Sequence, residues 1–84
     1  MKDDVEWRPR AIKDLRRADR TTHSRIIEAI EKLAGTGVGD VRRLSGTDLP
    51  EYRLRVGEWR VRFQKGHQKI VILRVLPRGN AYSA

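Results

Sequence analysis

The spacing of apolar residues changes from a helical period to a strand period near the middle of this chain of 84 residues. Over residues 11–34 apolar side chains recur three or four positions apart, whereas over residues 52–63 they alternate with polar ones. A helix and a strand need these two different periods to bury one face. The pattern predicts an α+β fold in which helices precede a sheet, and the length predicts a single domain over residues 1–84.

The first half predicts a short strand followed by two helices. Residues 5–7 alternate as an edge strand does, and Pro9 suits the first turn of a helix, where its missing N–H costs nothing. Thr21 or Thr22 is the candidate N-cap of the second helix, and Gly35 is expected to end it. A short link between the helices makes them an antiparallel pair. Their apolar faces hold Ala11, Ile12, Leu15 and Ala18 in the first helix and Ile26, Ile27, Ile30, Leu33 and Ala34 in the second.

The second half predicts an antiparallel meander of three strands, over residues 52–56, 59–63 and 69–76. Gly57-Glu58 is typical of a two-residue hairpin loop, with glycine at the position where a type II′ turn needs a positive φ. Residues 66–68 form the second turn, and Pro77 ends the last strand. The helix pair is expected to pack on one face of this sheet.

Alternation divides the strand residues into an apolar face and an arginine-bearing face. The expected core face holds Tyr52, Leu54, Val56, Trp59, Val61, Phe63, Val71, Leu73 and Val75. The opposite face holds Arg53, Arg55, Arg60, Arg62 and Arg74, with Ile70 and Ile72 among them. Because like charges facing one another destabilise a sheet, this face is expected to bind an anion. The alternative is that long arginine stems shield an apolar sheet from water.

Positive charge is concentrated in the same half of the chain. The formal net charge is +8, with nine Lys/Arg against eight Asp/Glu in residues 1–40 and ten against three in residues 41–84. Fourteen of the nineteen cationic residues are arginine, whose planar fork binds phosphate through two parallel hydrogen bonds. A basic surface of this kind predicts a nucleic-acid partner, with a solvated face or an acidic protein partner as the alternatives.

Composition argues against several other classes of site. The chain has no cysteine, which excludes a disulfide scaffold and thiolate chemistry. His23 and His67 are the two histidines and neither lies near a carboxylate pair in the sequence, so no metal and no cofactor is expected. No apolar run approaches the length of a membrane span and there is no signal-peptide core, which predicts a cytoplasmic protein.

Cleavage of RNA by the adjacent 2′-OH is the chemistry that fits such a face without a metal. The reaction needs a base, an acid and donors that stabilise the crowded phosphate, and arginine supplies the donors. Arg78 and Tyr82 lie four residues apart beyond the last predicted strand and are candidates, because a cationic field favours the tyrosinate. His67 lies at a hairpin tip away from the basic face. Arg42 and Arg43 are either a separate phosphate contact or solvated charge.

Taken in order, these segments resemble the RelE/ParE superfamily of bacterial toxins, and within it the RelE branch. The most specific segment is YRLRVGEWRV at residues 52–61, followed by ILRVLPRGNAY at residues 72–82. VEW at residues 5–7, the helical segment at residues 26–33 and VRRLSG at residues 41–46 occur in the same order as in the family. The resemblance spans nearly the whole chain.

The resemblance implies a compact toxin with a microbial-ribonuclease-like arrangement, which a cognate antitoxin neutralises. RelE-type members cut mRNA in the ribosomal A site without a metal, so mRNA and the ribosome are the implied partners. By matched position, the catalytic roles fall to Arg53, Arg55, Arg60, Arg78 and Tyr82. The expected contacts to RNA or the ribosome are Arg42, Arg43, Arg62 and Arg74.

Departures from the family pattern leave alternative functions open. Arg53 and Arg55 stand where the best-studied branch has lysines, and since arginine keeps its proton, they suit phosphate binding better than general-acid catalysis. Pro77 and Gly79 replace the residues that usually flank the C-terminal arginine. One alternative is a ParE-like inhibitor of DNA gyrase without nuclease chemistry. Another is a catalytically impaired toxin that acts with its antitoxin in operator binding.

Overall fold

The computed structural model describes residues 2–44 and 50–79 of the chain as one five-stranded sheet with two helices. The strands are β1 (Asp4–Trp7), β2 (Val41–Leu44), β3 (Glu51–Val56), β4 (Trp59–Gly66) and β5 (Lys69–Pro77). The helices are α1 (Pro9–Leu15) and α2 (Arg20–Thr36). The structure confirms the predicted α+β class, in which both helices precede the meander.

The sheet order is β1-β5-β4-β3-β2, so that β4 lies at its centre. β1 pairs in parallel with β5, and the other neighbouring strands pair antiparallel. The sequence pattern does not predict β2, because its four residues show no alternation of apolar and polar side chains. This strand forms by pairing with β3 along its whole length, so its existence depends on a tertiary neighbour rather than on a local signal.

Both helices begin near their predicted positions. Pro9 occupies the first turn of α1, which ends before Ala18. The N-cap of α2 is Asp19 rather than Thr21 or Thr22, and its side chain accepts a hydrogen bond from the Thr22 N–H. An aspartate caps a helix as well as threonine does, and its position three residues before the donating Thr22 N–H decides between them.

The second helix ends later than predicted. It continues through Gly35 to Thr36, and the N–H of the next residue, Gly37, donates to the Leu33 carbonyl at 2.8 Å. Gly37 has φ of 77°, the left-handed conformation that glycine adopts at little cost. A glycine ends a helix where the backbone turns left-handed, and here that glycine is Gly37 rather than Gly35. No helix in the two described stretches has the length and apolar character that crossing a membrane requires.

The core lies between the helices and one face of the sheet. Its buried apolar residues are Ala11, Leu15, Ile26, Ile30, Leu33, Ala34, Leu54, Val61, Phe63, Ile70, Ile72 and Val75. Ile70 and Ile72 are each 1% exposed, although strict alternation assigns them to the arginine-bearing face. Val71, assigned to the core, is only half-buried. The predicted faces are therefore wrong for residues 70–72.

A β-bulge explains this error. The pairing of β4 with β5 shifts between Arg62 and Phe63, so that Phe63 opposes Ile72 while Arg62 opposes Arg74. Leu73 is the extra residue on β5, and an extra residue reverses the alternation on either side of it. Beyond the bulge the predicted faces are correct, and Arg74 lies on the same face as Arg62.

Candidate anion-binding site

Strand register places the sheet arginines in two rows on the face opposite the core, termed here the arginine face. The first row runs across β2, β3, β4 and β5 through Arg42, Arg53, Arg62 and Arg74. The second row opposes Arg55 to Arg60, beside Leu76 of β5. Neighbouring strands lie about 4.8 Å apart, so these side chains start within reach of one another. The five arginines predicted to share a face do so.

Two arginines of the first row, Arg62 and Arg74, form the paired end of the arginine face. Arg62 Nη2 lies 2.6 Å from Oε2 of Glu51, whose side chain is 8% exposed. Arg74 donates from Nε and Nη2 to the two oxygens of Asp14, at 2.7 and 3.1 Å. Each of these guanidinium groups has a carboxylate in direct contact, which leaves it little charge to offer an external anion.

Asp14 carries a third hydrogen bond that fixes its position. The Val75 N–H donates to Asp14 Oδ2 at 2.9 Å. Burial raises the pKa of Asp14, but the hydrogen bonds from Arg74 and the Val75 N–H outweigh burial and hold the pKa below its usual value. Asp14 is therefore an anion throughout the physiological range.

Asp14 reaches Arg74 because α1 covers the open edge of β5. β1 pairs with β5 as far as Ile72, whose carbonyl accepts the Arg8 N–H at 3.0 Å. Beyond this point α1 lies where a strand would continue, and Asp14 accepts the Val75 N–H in place of a strand carbonyl. Sequence reasoning missed both Asp14 and Glu51. The signal for Asp14 is its position three residues after Ala11, on the apolar stripe of α1.

The hairpin end of the arginine face comprises Arg42, Arg53, Arg55 and Arg60, with Arg78 beside it. Arg55 Nη1 lies 3.9 Å from Asp40 Oδ2, and Arg78 Nη1 lies 3.8 Å from Glu58 Oε2. The side chains of both pairs are at least 60% exposed. Contacts of this length between solvated groups contribute little and are screened by salt. Both guanidinium groups are open to a stronger anionic ligand.

The backbone holds Arg78 next to the β3–β4 turn. Its N–H donates to the Glu58 carbonyl at 2.7 Å, directly after β5 ends at Pro77. Gly79 follows with φ of 95°, a conformation that glycine adopts at little cost. Tyr82, the other C-terminal candidate, lies outside the described residues.

Arg60 is the buried member of the hairpin end. It is 8% exposed, and its Nη1 donates to the carbonyls of Gly57 and Trp59 at 2.8 and 3.0 Å. Gly57 has φ of 58°, which confirms the predicted need for a positive φ at this turn. Arg60 therefore braces the turn that Arg78 contacts, through the Nη1 end of its guanidinium.

Arg53 lies half-buried between Arg42 and Arg60. Burial, and then repulsion from the positive charges of Arg60 and Arg42, lowers the pKa of Arg53 below its usual value. The guanidinium remains charged at neutral pH, and repulsion from its two neighbours is part of the cost of that charge. An anion bound near these arginines relieves that repulsion.

The two adjacent arginines of β2 lie on different faces. Arg42 opposes Arg53 on the arginine face. Arg43 opposes Tyr52, whose ring stacks on Phe63 on the helix side of the sheet with centroids 5.4 Å apart. Period-two alternation separates the pair although both side chains are exposed. Arg42 alone of the two belongs to the candidate site.

The structure places the other candidate residues away from this site. His67 lies exposed in the β4–β5 turn, at the end of β4 opposite to Gly57, as predicted. His23 lies exposed on α2. Within residues 2–44 and 50–79 no three His, Asp or Glu side chains come together as metal ligands would.

Comparisons with known proteins identify relatives of the chain. The family model of the ParE toxin of type II toxin–antitoxin systems, parDE, matches residues 5–82. A chain of the archaeal RelE–RelB complex from Pyrococcus horikoshii OT3 is 32% identical, with a TM-score of 0.80. The match covers 96% of this chain and 100% of that one. A comparison with curated proteins found no match.

Two further solved structures are similar. A chain of the RelB–RelE antitoxin–toxin complex from Methanococcus jannaschii is 25% identical over 94% of this chain and 96% of that one, with a TM-score of 0.77. The YoeB dimer from Staphylococcus aureus is 19% identical over 90% of this chain and 97% of that one, with a TM-score of 0.72. At this level of identity, the similarity to the YoeB dimer is a similarity of fold.

Proposed function

This chain belongs to the RelE/ParE superfamily of toxins from type II toxin–antitoxin systems, and on that premise we propose that it is a ribosome-dependent endoribonuclease that cuts mRNA in the A site. It acts in the cytoplasm, where ribosomes are, and makes the cut without a metal. A cognate antitoxin, acidic in the segment that covers the arginine face, neutralises it. The similar chains from P. horikoshii and M. jannaschii come from complexes with RelB.

The observation that carries this proposal is the convergence of arginines on the β3–β4 turn. Arg55 and Arg60 oppose each other where β3 and β4 meet the turn, and Arg78 contacts Glu58 within it. Arg53 lies two residues further along β3. Donors that converge in this way suit a phosphodiester, because negative charge builds on its oxygens as the 2′-oxygen attacks.

In the proposed reaction the 2′-oxygen bonds to the adjacent phosphorus, and the bond from phosphorus to the 5′-oxygen breaks. The products are a 2′,3′-cyclic phosphate and a 5′-hydroxyl, so one proton leaves the 2′-OH and one reaches the 5′-oxygen. Arg53, Arg55 and Arg60 hold the phosphate, and Arg78 stabilises the charge of the transition state. Tyr82 takes the 2′-OH proton or stacks on a base, as the resemblance implies.

Inhibition of DNA gyrase is a second candidate function, and the match to the ParE toxin family model favours it. A protein of this kind binds its target and needs no cleavage chemistry. The retention of Arg53, Arg55, Arg60 and Arg78 together favours the nuclease, since binding alone does not need the full set. A supercoiling assay with purified gyrase distinguishes the two functions.

The test of the nuclease is a cell-free translation reaction with purified protein, in which primer extension maps new mRNA 5′ ends. The proposal expects ends within A-site codons that appear with ribosomes, that are absent from naked RNA, and that Arg78→Ala removes. Lys2→Ala removes an exposed positive charge next to β1, at the edge of the sheet opposite to β2, and is the matched control. Intact mRNA with normal translation contradicts the proposal. Loss of supercoiling would then support the gyrase function, and harmless expression without antitoxin an impaired toxin.

A further inference from the structure

The carboxylates around the arginine face fall into two groups that differ in burial and distance. The buried pairs are Glu51 with Arg62 and Asp14 with Arg74, at 2.6 and 2.7 Å. The exposed pairs are Asp40 with Arg55 and Glu58 with Arg78, at 3.9 and 3.8 Å. Both buried carboxylates serve the paired end of the face, and both exposed carboxylates serve the hairpin end.

Glu51 cancels charge one strand away from the proposed phosphate site. It lies two residues before Arg53 on β3 and bonds diagonally to Arg62 on β4. Arg62 directly opposes Arg53 in the register. Of two arginines that face each other, the one on β4 is therefore neutralised by a buried carboxylate.

Asp14 cancels charge on the next strand of the same row. Its carboxylate accepts hydrogen bonds from Nε and Nη2 of Arg74 and from the Val75 N–H. These bonds hold the Arg74 guanidinium at the edge of β5. Arg74 directly opposes Arg62. The first row therefore ends in two paired cations, Arg62 on β4 and Arg74 on β5.

We propose that Glu51 and Asp14 are internal counter-ions that confine the RNA phosphates to the hairpin end of the arginine face. The inference rests on the proposed function and specifies which part of the face holds the backbone. Without these carboxylates the first row would offer four cations in line across the sheet. An RNA strand bound along that row would place its phosphates away from Arg78, where they could not be cleaved.

The difference in burial gives this confinement its physical basis. A phosphate that takes Arg62 or Arg74 must separate a pair whose carboxylate is buried, and that leaves an uncompensated charge inside the protein. A phosphate that takes Arg55 displaces Asp40 into water, where the carboxylate is well solvated. Arginines of equal formal charge therefore differ in their availability to the same ligand.

The test is the salt dependence of binding to a short oligodeoxythymidylate of about eight nucleotides, within the usual site size for single strands. This probe has no 2′-OH, so binding is measured without cleavage. Glu51→Gln and Asp14→Asn each release one cation, and each is expected to steepen the slope of log affinity against log salt by about 0.7. Glu31→Gln makes the same change of charge on the exposed side of α2 and is expected to match the wild type.

A second measurement on the wild-type protein covers the case in which either variant fails to fold. Arginine Nε–Hε signals in NMR spectra report each guanidinium separately. On addition of the oligodeoxythymidylate, the signals of Arg55 and Arg78 are expected to shift, while those of Arg62 and Arg74 move no more than that of Arg8, which follows β1 at the edge of the sheet. Shifts at Arg62 as large as those at Arg55, or unchanged slopes in the folded variants, overturn the proposal.

The failure of this inference is distinguishable from the failure of the proposed function. If the wild type cuts mRNA on ribosomes and Glu51→Gln has the wild-type slope, the counter-ion role is rejected and the nuclease is retained. If no cleavage occurs but the slopes steepen as expected, the nuclease is rejected. The counter-ions then confine a phosphate ligand of another kind.

Discussion

The two ends of the arginine face carry the same kind of residue in different surroundings. At the paired end, Arg62 and Arg74 bond to buried carboxylates at 2.6 to 3.1 Å. At the hairpin end, the exposed Arg55 and Arg78 lie 3.9 and 3.8 Å from carboxylates that are themselves exposed. The number of arginines on a sheet therefore overstates the charge open to a ligand. The burial of the opposing carboxylates decides where that charge is available.

Removal of Arg78 has the largest expected effect on activity. Arg78→Ala is expected to lower the rate of ribosome-dependent cleavage by about 10²–10³, because it removes a donor aimed at the transition-state charge. The fold should be unaffected, since the side chain is 70% exposed. Primer extension gives the rate, and a thermal melt gives the fold. Cleavage at the wild-type rate would remove Arg78 from the catalytic assignment.

Removal of Asp14 tests the paired end of the arginine face. Asp14→Ala is expected to destabilise the protein by about 3 kcal/mol, because it leaves the half-buried Arg74 and the Val75 N–H without their acceptor. The matched change Asp40→Ala is expected to cost less than about 1 kcal/mol, since its pair is exposed. Urea unfolding measures both free energies. Equal losses would show that burial does not separate the two ends.

Lowering the pH tests the same comparison, because it protonates Asp14 and leaves the charge of Arg74 unchanged. The pKa of Asp14 is lowered by folding, so its contribution to stability is present above the ordinary value of 3.8 and is lost as pH falls through the lowered pKa. The free energy of unfolding of the wild type should fall more steeply than that of Asp14→Asn over this acidic window. Urea midpoints between neutral pH and about pH 3 measure the difference. Parallel curves would contradict the assignment.

The adjacent arginines of β2 provide the smallest and most closely matched test. Arg42→Ala is expected to reduce the salt slope of oligonucleotide binding by about 0.7, the loss of one phosphate contact. Arg43→Ala removes the same charge one residue away, on the opposite face, and should leave the slope nearly unchanged. Fluorescence titration at several salt concentrations gives both slopes. Equal reductions would indicate binding by overall charge rather than by the arginine face.

Local patterns predicted the parts of the site that depend on neighbouring residues. The alternation of residues 52–63 and the Gly57 turn place Arg53, Arg55, Arg60 and Arg62 on one face, and the register confirms this. The same rule failed at Ile70 and Ile72, because the bulge at Leu73 adds a residue that only the pairing with β4 reveals. β2 escaped prediction for a similar reason, since its partner strand rather than its own sequence defines it.

Sequence alone was enough to derive the α+β class, the faces of β3 and β4, the turn at Gly57 and the concentration of arginine in the second half. Each of these follows from periodicity, backbone preference or composition, which act over a few residues. Which sheet arginines pair with a buried carboxylate depends instead on how the elements pack in three dimensions. Asp14 lies 60 residues from Arg74 in sequence and meets it because α1 covers the edge of β5. Ion pairing depends on the distance between two charged groups and on their burial, and the order of residues in the chain gives neither quantity.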